Sequence, residues 1–149
     1  MNSTHPFHSL TSDKTSYLLV KSGVILIAIA MLTGILVAFS MTGVVNANPQ
    51  YTLASHLNAL FGGLILIALG LTKPFFSLSS TWFRAAALLL VISSFGNWLL
   101  TAIRSFLFVD AIGFNGNAIN DFMHLLLVVI VVLPAIIGSL IWVFGFKKS

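Results

Sequence analysis

The chain has 149 residues, 58% of them hydrophobic and only 7% charged, against about 25% charged in ordinary soluble domains. A mean hydropathy of +1.07 leaves too few polar groups to cover a water-soluble globule, so the surface must be solvated by lipid. The absence of cysteine excludes disulfides, zinc ribbons, iron–sulfur clusters and thiol nucleophiles, and the net charge of +4 reads as membrane topology rather than nucleic-acid binding.

Residues 1–16 are polar, rich in Ser, Thr and His, and form a short tail outside the bilayer. Four apolar runs follow, over about 17–45, 53–72, 82–109 and 121–146. Each reaches the ~20 residues that a helix needs to cross a ~30 Å hydrocarbon layer. The predicted fold is therefore all-α, an integral membrane four-helix bundle in one domain, with both termini on the same side. The first run is too long for a signal-peptide core and is kept as a helix of the protein. NANPQ at 46–50, TKPFFSLSS at 72–80 and FNGNAIND at 114–121 read as turns, the last ending in a helix N-cap at Asn120 or Asp121.

Lys14, Lys21, Lys73, Arg84, Lys147 and Lys148 fall at the end of the bundle that holds the termini, and only Arg104 at the other. The positive-inside rule puts that end in the cytoplasm, as expected of a multi-pass protein of the inner or plasma membrane. Tyr17, Trp82 and Trp142 would then lie near the inner interface and Tyr51 near the outer one.

Polar residues within the runs are the candidates for function. At 1.5 Å per residue, His56 and His124 lie at similar depth in the outer part of the second and fourth helices, Asn58 slightly deeper, and Asn97 ~10 Å below Arg104. Ser93, Asn97, Thr101 and Arg104 lie within about 80° of one another on the third helix. His56, Ala59, Gly63 and Gly70 form a stripe on the second, and Asn120, His124, Ala135 and Gly138 one on the fourth. Such groups are costly in lipid, and one shared polar pocket is the economical arrangement. Blander roles stand beside it. A histidine near the interface reaches headgroup water, Arg104 snorkels, small residues let helices approach, Pro134 is a tolerated kink, and Asn97 bonds between helices.

LTGIL at 32–36, NPQYTLASHLNALFGGLILIALGLTKP at 48–74 and GNWLLT at 96–101 resemble the hydroxylaminobenzene mutases, with styrene oxide isomerase as a more distant relative. The resemblance implies a membrane-embedded homo-oligomer, a trimer, that rearranges a small hydrophobic aromatic substrate without net redox change. It further implies a haem b held by His56, whose iron acts as a Lewis acid, with Ala59 and Gly63 leaving room for the macrocycle and Asn97 orienting substrate. Two positions depart from the pattern. Gly62 stands where relatives have an asparagine six residues after the histidine, and Thr101 stands where styrene oxide isomerase has a catalytic tyrosine. The fourth helix matches loosely, so His124 inherits no role.

Two other functions compete with the isomerase. In a b-type cytochrome, His56 and His124 would clamp one haem from both sides. A cofactor-free transporter or structural subunit is the other, although the absence of glutamate argues against the kind of proton-coupled transport that uses a buried glutamate. The isomerase is favoured because it alone accounts for the His56 stripe, Asn97 and the ordered resemblance together.

Overall fold

The protein was analysed as a computed structural model, which describes residues 13–146. Most of the expected polar tail, with Lys147 and Lys148, lies outside the described residues. Four membrane-length helical spans are present: α1 (Lys14–Met41), α2 (Pro49–Leu71), α3 (Ser80–Leu107) and a fourth span, Ala118–Gly145. The fourth consists of α4 (Ala118–Leu126), a wide π turn (Leu127–Val132) and α5 (Leu133–Gly145). Among the described residues there is no strand, only an isolated bridge between Phe76 and Phe146.

Each span starts two to four residues before its apolar run; α1, α2 and α4 open on a side-chain cap, and α3 follows Ser79 without one. Asp13 accepts from Thr15 N and the Ser16 hydroxyl to open α1. Asn48 accepts from Gln50 N and Tyr51 N, with Pro49 pre-set at the first position of α2. The expected cap at Asn120 or Asp121 is instead Asn117, which accepts from Ile119 N and Asn120 N. Asn120 and Asp121 turn back to hold the preceding loop: Asn120 bonds Ala111 N and Gly113 O, and the Asp121 carboxylate accepts from Asn115 N and Gly116 N.

The helices pack in chain order. α1 lies on α2, α2 on α3, and α3 on the fourth span, while α1 meets α3 only slightly and does not close the ring on the fourth span. The α1–α2 seam is close because glycines line it. A Cβ on Gly63 would come within 2.6 Å of Ile27 Cγ1 and 2.7 Å of the Gly23 carbonyl oxygen, so the backbones touch where no side chain intervenes. Around this spine some forty large apolar side chains, among them Leu32, Ile112 and Phe144, face outward, which suits lipid as solvent.

At the end where α1 and α3 begin, Phe76, Phe83 and Trp142 form a cluster with ring centroids 5.1–5.4 Å apart. Trp142 is buried there, its indole N–H donating to Thr72 Oγ1 at 3.1 Å, so it is a core residue rather than an interfacial anchor. Tyr17 and Trp82 remain exposed. Ser77 N donates to Gly145 O at 2.7 Å, which ties the α2–α3 connection to the end of α5.

Candidate functional site

The expected shared pocket separates into four places. His56 and Asn58 are two residues apart, hence about 200° around α2. The imidazole faces α1 and the amide faces α3.

His56 is half-buried against Ala30 and Gly34 of α1. Its Nδ1 lies 2.7 Å from the Ala30 carbonyl oxygen, and since a carbonyl only accepts, this nitrogen carries the proton. Nε2 is then the lone-pair nitrogen. It forms no hydrogen bond among the described residues and is not fully buried. A hypothetical Cβ on Gly34 would sit 3.4 Å from the ring. That is ordinary contact distance, so Gly34 packs directly beside the imidazole. Ala30 and Gly34 were not singled out from sequence, although they lie one turn apart in and beside the 32–36 segment.

The second place is an amide cluster between α2 and α3. Asn58 Nδ2 donates to Asn97 Oδ1 and to Thr101 Oγ1, both at 3.1 Å. Asn97 Nδ2 and Asn58 Oδ1 have no partner among the described residues and, by the same reasoning, are accessible. The cluster therefore keeps one donor and one acceptor unused among the described residues. Beneath them, Ser55 donates to the Trp98 carbonyl at 3.0 Å and the Trp98 indole donates to Thr33 Oγ1 at 3.1 Å. Trp98 thus links all three helices, a role that its place within GNWLLT does not reveal.

The other candidates lie elsewhere. Ser93 donates to the Val131 carbonyl in the π turn at 2.9 Å. Arg104 bonds the backbone of Asp110 and stacks 4.5 Å from the Tyr51 ring centroid, while the Tyr51 hydroxyl donates to the Asp110 carboxylate; all three belong to the end of the bundle remote from the termini. His124 Nδ1 lies 3.1 Å from Ala111 O, and its ring meets Phe114 edge-on. It holds a loop. α3 stands between α2 and the fourth span, so one chain does not clamp a haem between His56 and His124.

Ala59 and Gly63 are also reassigned. Ala59 is fully buried and Gly63 touches α1, so they serve helix packing and leave no open face for a macrocycle. Gly62 faces the α1–α3 junction, where a Cβ would lie 3.1 Å from Leu26 Cδ2 and 3.2 Å from Ser94 Cβ. The asparagine that the resemblance leads one to expect here would be crowded. Asn58, one turn earlier on the same side, carries an amide instead.

Among the described residues no group of three or more His or Asp side chains is arranged to hold a metal. A haem needs less: one imidazole with a free nitrogen and its other nitrogen fixed by a hydrogen bond. His56 meets that requirement.

Comparison with known proteins agrees with this architecture. The styrene oxide isomerase family model matches residues 15–146. Hydroxylaminobenzene mutase HabB of Ectopseudomonas oleovorans is 35% identical over 88 residues, covering 59% of this chain and 50% of that protein. Hydroxylaminobenzene mutase HabA of the same organism is 35% identical over 81 residues, covering 54% of this chain and 56% of that protein. The chain spans about half the length of these curated relatives. No solved structure matches. With the family model spanning all four helices, the chain belongs to the styrene oxide isomerase family.

Proposed function

We propose that this protein is an integral-membrane isomerase that rearranges a small hydrophobic aromatic molecule, a hydroxylaminobenzene or an aromatic epoxide, without net redox change, and that His56 holds a haem b for that purpose. The observation that carries the reading is the His56 tautomer. A 2.7 Å bond from Nδ1 to the Ala30 carbonyl fixes the ring and leaves Nε2 as the lone-pair nitrogen, the arrangement that metal-ligating histidines use. When bound, haem iron would supply a Lewis acid able to polarise a substrate oxygen.

The chain's own side chains bind and orient. Asn97 Nδ2 can donate to the oxygen of a hydroxylamine or epoxide, and Asn58 Oδ1 can accept an N–H or O–H. Thr101 locks the pair by accepting from Asn58. In hydrocarbon these hydrogen bonds face little competition from water, and an apolar substrate arrives by partition from the bilayer. Because His56 and the amide cluster occupy opposite flanks of α2, a single chain lacks one wall of the site. The reading therefore includes a homo-oligomer, a trimer by the resemblance, in which a neighbouring copy covers the His56 flank. The cationic end, with Lys14, Lys21, Lys73 and Arg84, faces the cytoplasm under the same proposal.

The test is an optical spectrum of the protein purified from haem-supplemented cells, followed by incubation with hydroxylaminobenzene and with styrene oxide. A Soret band that responds to imidazole or carbon monoxide, with a product of unchanged mass, is expected. No Soret band, or an unaltered one in His56→Ala, would sink the haem assignment; a haem-bearing protein that converts neither substrate would sink the isomerase.

A further inference from the structure

Between the N-terminal ends of α1 and α3 lies a cleft of about 880 Å³, within the size range of ligand sites. Three cations line it, each from a different segment: Lys14 at the start of α1, Lys73 from the turn after α2, and Arg84 in the second turn of α3. Lys73 is held in place, its Nζ 4.6 Å from the Phe83 ring centroid and 5.9 Å from that of Phe76. The one side-chain carboxylate here is Asp13, which accepts from Thr15 N and the Ser16 hydroxyl. The other two, Asp110 and Asp121, belong to the opposite end of the bundle.

Deeper in, the cleft changes character. Leu18 lies one turn beyond Lys14, and Leu88 and Val91 lie about 6 and 10 Å beyond Arg84 along α3. The site is thus cationic at the level of lipid headgroups and apolar below, open along one side, between two helices of a membrane protein. A basic pocket of this kind suits an anionic headgroup.

We propose that this cleft binds one anionic phospholipid, its phosphate among Lys14, Lys73 and Arg84 and an acyl chain along Leu18, Leu88 and Val91. A free anion would leave the apolar half unused. A zwitterionic lipid carries its own cation into a cluster of three, and a second copy docking by the same face would set cations against cations. The site is remote from His56 and the amide cluster, so it stands whether or not the isomerase reading does.

The experiment is native mass spectrometry of the full chain, delipidated in neutral detergent and titrated with phosphatidylglycerol, phosphatidylcholine of identical chains, or inorganic phosphate. One phosphatidylglycerol per chain is expected, bound at least about tenfold tighter than phosphatidylcholine. Lys73→Gln and Arg84→Gln should each weaken it about fivefold, from the usual contribution of one basic residue near an anionic membrane surface. Lys21→Gln, at an exposed position outside the cleft, should leave binding unchanged. Equal affinity for the two lipids, displacement by millimolar phosphate, or the same loss in Lys21→Gln would overturn the proposal. Should the cleft variants fail to fold, the wild-type comparison of the two lipids decides alone.

Discussion

An imidazole has two nitrogens, and what holds one determines what the other can do. In His56 the Nδ1 N–H donates to the Ala30 carbonyl, and under the proposed function Nε2 is the nitrogen that would hold the haem. His56→Ala is expected to reduce haem content to below about a tenth of wild type while leaving a folded protein, since ligand loss removes more than the 10–100-fold typical of losing a supporting contact; a pyridine haemochrome assay reads this directly. Asn97→Ala should lower kcat/KM for the rearrangement about 10- to 100-fold, a loss of 1.4–2.7 kcal/mol of transition-state binding, with haem content unchanged. Equal losses in both quantities would mean that Asn97 only supports the fold. His56, Asn97 and Asn58 were legible as candidates because polar groups stand out in an apolar run. Their partners were not. A backbone carbonyl such as Ala30 O carries no mark in sequence, and Ser93 and Asn97, one turn apart, bond in different directions because different neighbours face them.

Within elements, what matters is how closely two helices approach. Gly63 lets α2 touch α1 at Gly23 and Ile27, so Gly63→Val should cost about 1–3 kcal/mol through overpacking, read as a lowered midpoint of thermal unfolding in detergent. In the fourth span, Pro134 lacks the N–H that an α-helix would pair with a carbonyl one turn back. The preceding turn is wide rather than kinked, running as π over Leu127–Val132, and Ser93 donates to its Val131 carbonyl. Gly96 makes room, because a Cβ there would lie 2.8 Å from Ile130 Cγ2. Ser93→Ala is accordingly expected to cost about 0.6 kcal/mol, the mean of interhelical side-chain bonds in membranes, with an unchanged spectrum at His56. The proline alone suggested a kink; the π turn found instead depended on α3 offering both a hydroxyl and a gap.

For the whole molecule, the spans alternate in direction, and the start of α1, the α2–α3 connection and the end of α5 gather at one end. Because the chain has no cysteine, single cysteines report topology cleanly: Asn115→Cys should react with a membrane-impermeant maleimide in intact cells, and Ser79→Cys only after permeabilisation. The reverse pattern would invert the proposed orientation. The amino-acid sequence by itself determined that the chain is all-helical, how many spans it has and roughly where they lie, since backbone polar groups in lipid must pair locally and apolar length sets the crossing. It also singled out the histidine and the amides, because a polar residue in hydrocarbon needs a reason to be there. Only the tertiary structure decided which polar groups meet. The direction a side chain faces is set within a fraction of a turn by its neighbours, so His56 went to α1 and Asn58 to α3, while Ala59 and Gly63 disappeared into a helix seam. The cationic cleft has the same origin: Lys14, Lys73 and Arg84 come from separate segments of the sequence and meet only where the fold brings the start of α1, the turn after α2 and the start of α3 together.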